Sequence, residues 1–230
     1  MRVLAIGDIH GCVTAYDVLL TLVQPKPSDL VVTLGDYIDR GPDSKGILNR
    51  LLRLSRSCRH IAIAGNHDLM MLNARNGPTE FEEWYGCGAK NTLRSYGADP
   101  NWDTFAASVP DEHFRFIGDR CVSYYEIDTH FFVHANAYPD YPLDEQPDYM
   151  LHWQSLDPEM TRPHESGKTM ICGHTSQKTG VPLVLDHAIC IDTWVYGDTG
   201  WLTCLDVKSG KYWQANERGE TQLGWIDELR

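Results

Sequence analysis

The sequence predicts an α/β fold in which two mixed β-sheets pack together with helices outside. Three observations carry that expectation. Residues 2–64 alternate short apolar runs with stretches of helical periodicity, a βαβαβ order that implies parallel strands and right-handed crossovers. Beyond residue 120, short strand signals separated by tight turns dominate, as in an antiparallel meander. Each N-terminal apolar run also ends in glycine and then a polar residue, which places a polar cluster at the carboxyl edge of the sheet, where open α/β folds bind ligands.

Residues 2–7 read as a buried strand that runs into Asp8 and His10. Val13, Tyr16, Leu19, Leu20 and Val23 then recur at helical spacing, and Pro25 and Pro27 end that helix. The second strand, 30–34, leads into Gly35-Asp36, with Asp39, Arg40, Gly41 and Pro42 behind. Asp43 or Ser44 caps a helix whose apolar positions are Ile47, Leu48, Leu51, Leu52 and Leu54. The third strand, 60–64, delivers Asn66, His67 and Asp68, and a helical stretch from Asp68 to Asn76 stops at Gly77-Pro78. Residues 79 to about 111 carry short helical pieces rich in aromatics and no strand signal. They read as a helical insertion beside the site, within a single domain spanning 1–230, with Trp84, Tyr85, Tyr96 and Trp102 as its small core. Val122–Ile127 and His130–Val133 then form a hairpin about Asp128-Thr129. A short helix falls around 144–155. Strands follow at 170–172, 183–185, 188–191, 201–207 and 212–214.

A chain of 230 residues buries a full core and need not divide. Its net charge of -12 argues against electrostatic binding to nucleic acid or anionic membranes. No apolar run approaches the roughly 20 residues of a membrane span. Seven cysteines, scattered singly and without a CxxC, read as reduced thiols of a cytosolic protein. The strand pattern entering at Arg2 leaves no room for a signal peptide there, so a cytoplasmic location is the expectation.

Five polar clusters stand at predicted strand ends: Asp8 with His10, Asp36 with Asp39 and Arg40, Asn66 with His67, His134, and His174. Asp8, His10, Asp36, Asn66, His134 and His174 together offer three ring nitrogens and three side-chain oxygens, with no thiolate and too few carboxylates for calcium. That set suits two divalent ions sharing Asp36, one also held by Asp8 and His10, the other by Asn66, His134 and His174. His67 with Asp39 at its far nitrogen makes a general acid, and Arg40 offers a planar fork to phosphate oxygens. Each feature alone has a plainer reading. Asp-x-His caps turns, a buried Asp–His pair is structural elsewhere, and Arg40 has 32 acidic residues to pair with.

The stretches GDIHG (7–11), GDYIDRG (35–41), GNHD (65–68), VHA (133–135) and GHT (173–175), in this order, resemble the calcineurin-type metallophosphoesterases, and more narrowly their serine/threonine phosphoprotein phosphatase branch. The resemblance runs from Arg2 to about Val207. It implies a four-layer αββα sandwich and a dinuclear Mn, Fe or Zn centre, with Mn the expected metal. It also implies direct attack on a phosphomonoester by a metal-bridging hydroxide. Its metal ligands fall on Asp8, His10, Asp36, Asn66, His134 and His174, its phosphate arginine on Arg40, and its acid pair on His67 and Asp39.

The departures bear on substrate. Asp68 stands where the protein phosphatases carry Glu, as in the related symmetrical dinucleoside tetraphosphatases, and HAN (134–136) replaces HAG. Trp153-Gln154-Ser155 replaces a Trp-x-Arg that would supply a second phosphate arginine, and Asp192-Thr193-Trp194 replaces Asp-Thr-Gly. Arg162, seven residues beyond Ser155, is the candidate replacement, with Lys168 behind it. The expected phosphate-binding set is therefore Arg40, Asn66 and Arg162. A phosphoprotein is the first expected substrate. A dinucleoside polyphosphate, a small phosphomonoester or a cyclic nucleotide are the alternatives, and a metal-binding scaffold without catalysis is the remotest.

Overall fold

The computed structural model describes residues 1–230. Its centre is the parallel triple β1 (Val3–Ile6), β2 (Leu30–Thr33) and β3 (Arg59–Ile63), registered Val3 to Leu30 to Arg59. The crossovers are α1 (Val13–Val23) and α2 (Ser44–Ser57). Asp43 caps α2, its carboxylate accepting from the Gly46 amide at 2.8 Å, and the five predicted apolar positions of that helix are buried.

Four further strands complete the larger sheet: β4 (Cys121–Val122), β10 (Leu202–Asp206), β11 (Lys211–Ala215) and β12 (Thr221–Trp225). The order is β12-β11-β10-β1-β2-β3-β4, parallel from β1 to β4 and antiparallel from β1 outward to β12. The smaller sheet holds β5 (Tyr124–Glu126), β6 (His130–Val133), β7 (Thr169–Cys172), β8 (Leu183–Val184) and β9 (Ala188–Cys190), in the order β5-β6-β7-β9-β8. Both sheets are mixed.

Side chains alternate faces along a strand, so each central strand serves two cores. Val3, Ala5, Leu30, Val32 and Leu205 meet Phe132, Ile171 and Ile189 of the smaller sheet in one cluster. Leu4, Ile6 and Val31 face the other way and pack with Leu19, Ile47 and Leu51 of α1 and α2. On the far side, Phe131, Val133 and Met170 pack under Leu151 of α8 (Asp148–His152). The layers are therefore helix, sheet, sheet and helix.

The helical stretch is α3 (Asn66–Asn73), α4 (Pro78–Gly86), α5 (Lys90–Tyr96), α6 (Trp102–Ser108) and α7 (Asp111–Arg115). Phe81, Trp84, Leu93, Tyr96 and Phe105 lie in the same cluster as α1 and α2, while Tyr85 and Trp102 cover its edge.

Three expectations need correction. The predicted strand 122–127 breaks at Ser123: β4 pairs with β3 in the larger sheet, while β5 pairs with β6 in the smaller. The expected meander is split between sheets, since β9 runs parallel to β7 while β10 to β12 extend the larger sheet. β12 was not signalled, because on this edge strand four of five residues are exposed and none alternate. No helix is long and apolar enough to cross a membrane.

Candidate active site

The polar clusters gather where the strands predicted. Asp8 and His10 follow β1, Asp36 to Arg40 follow β2, Asn66 and His67 open α3 after β3, His134 follows β6 and His174 follows β7. The loops are tied by backbone bonds, with the Ile9 and His10 amides on the Asp36 carbonyl at 3.1 and 2.7 Å and the Gly41 amide on the His10 carbonyl at 2.9 Å. His10, Asp36, Asp39, Arg40 and His174 all adopt left-handed backbone, with φ between 46° and 70°. Such residues cost roughly 1–2 kcal/mol each, so the surrounding bonds hold a strained frame. Two glycines permit the closest approaches: a Cβ on Gly65 would strike the Asp36 carboxylate, and one on Gly173 the Asp8 carboxylate.

Three histidines are oriented by backbone carbonyls. His10 donates Nδ1–H to Ile38 O at 2.8 Å, His134 donates Nδ1–H to Leu34 O at 2.8 Å, and His174 donates Nε2–H to Trp153 O at 3.0 Å. A neutral ring that donates from one nitrogen presents a lone pair at the other. Those lone pairs converge on oxygen: His10 Nε2 lies 3.4 Å from Asp36 Oδ2, and His134 Nε2 lies 3.5 Å from Asp36 Oδ1 and 3.0 Å from Asn66 Oδ1. His174 Nδ1 lies 3.1 Å from Asn66 Oδ1. Burial keeps His10 below its ordinary pKa and takes His134 down to about 3, so both rings are neutral. Burial, with Asp192 and Asp36 alongside, pushes the Asp8 carboxyl well up.

Acceptors facing acceptors in a buried pocket are unfavourable until a cation sits between them. The donor atoms form two groups, Asp8-His10-Asp36 and Asp36-His134-His174, each within 4.8 Å, and Asp36 belongs to both. Asn66 Oδ1 faces the second group through both of its histidines. Mixed nitrogen and oxygen donors at this spacing fit two divalent ions.

Beside this cluster, His67 Nδ1 lies 2.7 Å from Asp39 Oδ2. Burial works to lower the His67 pKa, and the Asp36 and Asp39 carboxylates outweigh it, raising it. Asp39 is fully buried and also accepts Trp84 Nε1–H at 2.9 Å and the Thr92 hydroxyl at 2.6 Å. The helices α4 and α5 therefore position the His–Asp pair. Trp84 was expected only as core, and Thr92 gave no signal at all.

Arg40 is exposed and makes no ion pair, so its guanidinium is free; it stands 5.5 Å from the Tyr196 ring. Tyr196 packs edge-on against His10 at 4.9 Å. Its loop is anchored by Asp192, which accepts from Ser176 Oγ at 2.6 Å and the Trp194 amide at 3.0 Å. Asp68, the residue in place of Glu, clamps two site loops: it accepts the Gly65 amide at 2.9 Å and the Tyr37 amide at 3.0 Å. Asp68→Ala leaves both buried amides unpaired and should cost on the order of 3 kcal/mol, read as a lowered unfolding midpoint in denaturant.

Arg162 does not join the site. Its guanidinium pairs with Asp140 at 2.7 Å with both side chains more than 60% exposed, and it bonds to no member of the cluster. The arginine precedes proline in a polar loop, and a nearby carboxylate in solvent captures it. Lys168 is likewise taken by Glu126, at 2.5 Å. Exposed pairs contribute about 0–1 kcal/mol, so Arg162→Ala should change stability by no more than about 1 kcal/mol and leave metal content and phosphate inhibition within two-fold of the parent.

Residues 1–200 match the calcineurin-like phosphoesterase family. The chain belongs to that family. Among relatives of this calcineurin-like phosphoesterase, the symmetrical bis(5'-nucleosyl)-tetraphosphatase of Paracidovorax citrulli is 46% identical over 148 residues, 63% of this chain and 47% of that protein. Serine/threonine-protein phosphatase 1 of Salmonella typhimurium is 45% identical over 75 residues, 32% of this chain and 33% of that one. The chain spans less than half the length of these curated relatives. A solved structure carrying a provisional diadenosine tetraphosphatase name superposes with TM-score 0.68 at 23% identity, covering 97% of this chain and 94% of that one. A cold-active protein-tyrosine phosphatase of Shewanella superposes at 0.62 with 17% identity, covering 96% and 80%. At those identities the two structures speak for the calcineurin-like phosphoesterase fold alone.

Proposed function

We propose that this calcineurin-like phosphoesterase is a metal-dependent hydrolase that cleaves the phosphoanhydride chain of dinucleoside polyphosphates. The observation that carries the reading is the pair of donor groups sharing Asp36, with a His67–Asp39 pair and a free Arg40 beside them. When bound, two divalent ions supply charge neutralisation at phosphorus and acidify the attacking water. Asp8, His10 and Asp36 would hold one ion, and Asp36, Asn66, His134 and His174 the other. Arg40 and Asn66 hold phosphoryl oxygens; the planar guanidinium stabilises the charge that builds as phosphorus is attacked in line. His67 keeps Nδ1–H on Asp39 and turns Nε2–H to the leaving oxygen, which it protonates. Asp39 orients the ring and favours its protonated form, and Trp84 and Thr92 fix Asp39.

The local match of GDYIDRG led to a phosphoprotein as the first expected substrate. The relatives support the alternative better, because the longer match, 148 residues against 75, is to a dinucleoside tetraphosphatase. Phosphoprotein hydrolysis stays as the second reading, supported by the match to the Salmonella phosphatase.

A substrate panel tests both. The protein is stripped with chelator and reloaded with Mn²⁺, then offered diadenosine tetraphosphate, phosphoserine, phosphothreonine and phosphotyrosine peptides, cyclic AMP and p-nitrophenyl phosphate. The expected result is no turnover in chelator, recovery with manganese, and the highest kcat/KM on the dinucleotide. A higher kcat/KM on a phosphopeptide would move the assignment to the second reading, and no turnover of any panel substrate would end the hydrolase reading.

A further inference from the structure

A cavity of about 620 Å³ opens beside Arg40, between the Gly41-Pro42 turn, α5, the loop at 195–200 and the turn at 216–218. None of the six candidate metal ligands lines it, so it extends the site rather than repeating it. Arg40 and Arg94 both do. The Arg40 loop is tied to α5 by Asn91, three residues before Arg94, which donates Nδ2–H to the Arg40 carbonyl at 2.7 Å.

The charges in the cavity are unevenly committed. Arg218 is held by Glu220 at 2.7 Å and by the Asp198 carbonyl at 2.6 Å. Glu217 is tied to the Ala15 amide at 3.1 Å. Asp198 also lines the cavity, so three guanidiniums face two carboxylates. Arg40 and Arg94 form no ion pair with a carboxylate, whereas Arg218 on the same cavity is paired, in a chain whose net charge is -12. Two unpaired forks on one wall make a local positive field suited to a second anion on the same substrate molecule.

We propose that Arg94 is a specificity-determining residue that binds a second phosphoryl group of a polyphosphate substrate, while Arg40 holds the group being attacked. The inference rests on the hydrolase reading above and narrows its substrate class: a phosphomonoester offers Arg94 nothing, whereas a phosphoanhydride chain spans both arginines. Asp198 and Glu217 confine the chain to the wall carrying Arg40 and Arg94.

The test compares the parent, Arg94→Ala and Arg94→Lys, loaded with excess Mn²⁺, on diadenosine tetraphosphate and on p-nitrophenyl phosphate. For Arg94→Ala the ratio of kcat/KM between the two substrates should fall about ten-fold, chiefly through KM for the dinucleotide, and lysine should restore part of it. A second arm titrates metal-free protein with inorganic tripolyphosphate by calorimetry, where Arg94→Ala should bind about ten-fold more weakly. An unchanged substrate ratio with superimposable isotherms overturns the assignment. Should the parent hydrolyse neither substrate, the proposed function fails, and the calorimetric comparison still decides the role of Arg94.

Discussion

Replacing Asp36 by asparagine should damage both metal positions at once. Asp36 is the one residue common to the two donor groups, its oxygens lying 3.4 Å from His10 and 3.5 Å from His134. The amide keeps the volume and can still accept the His67 amide hydrogen, which Asp36 Oδ1 now holds at 3.0 Å. It removes the charge that offsets two cations. A loss of about 4 kcal/mol of transition-state stabilisation is within what bound metals supply and corresponds to about 10³-fold in turnover. Metal analysis of the reloaded variant should show the content falling from near two ions per chain toward none. Full activity with a single tightly held ion would remove Asp36 from the bridging position.

The second large effect concerns His67. His67→Asn should slow hydrolysis of an alkyl phosphate by roughly 10²–10⁴-fold, because an alkoxide leaves poorly without a proton. On p-nitrophenyl phosphate, whose phenolate leaves readily, the loss should be far smaller. Metal content should hold, since His67 bonds to Asp39 and lies outside both donor groups. The split between leaving groups separates proton donation from positioning. Equal losses on both esters would assign His67 to holding substrate instead.

Much of this site was legible because glycine and polar residues at the ends of apolar strands are a local signal. Asp8, Asp36 and Asn66 could each be placed from a few neighbours, and the parallel order of β1, β2 and β3 brought them to one edge. What escaped was whatever depends on distant packing. Thr92 and Trp84 reach Asp39 from 53 and 45 residues away, on helices whose sequence shows only a small aromatic core. Tyr196 and Asp192 sit in a loop with no periodicity, and only the fold lays them over His10 and beside Asp8. Arg162 misled for the converse reason: loop length permits many positions, and the carboxylate of Asp140 decided among them. The break at Ser123 was hidden because six residues of continuous β propensity do not say that the chain changes sheets.

The two sheets contribute unequally to the cluster: Asp8, His10, Asp36 and Asn66 come from the seven-stranded sheet, His134 and His174 from the five-stranded one. An ion in the second donor group is thus a clasp across the seam, and its binding free energy belongs to the docked pair rather than to either half. By linkage, a ligand at 100 times its dissociation constant adds about 2.7 kcal/mol to the folded state. A chelator then acts as a mild denaturant aimed at one interface, loosening β6 and β7 from β1 and β2 before it touches the strands themselves. The unfolding midpoint should climb with the logarithm of free manganese even in a variant that turns over no substrate, so this protein's hold on its metal can be weighed without assaying its chemistry.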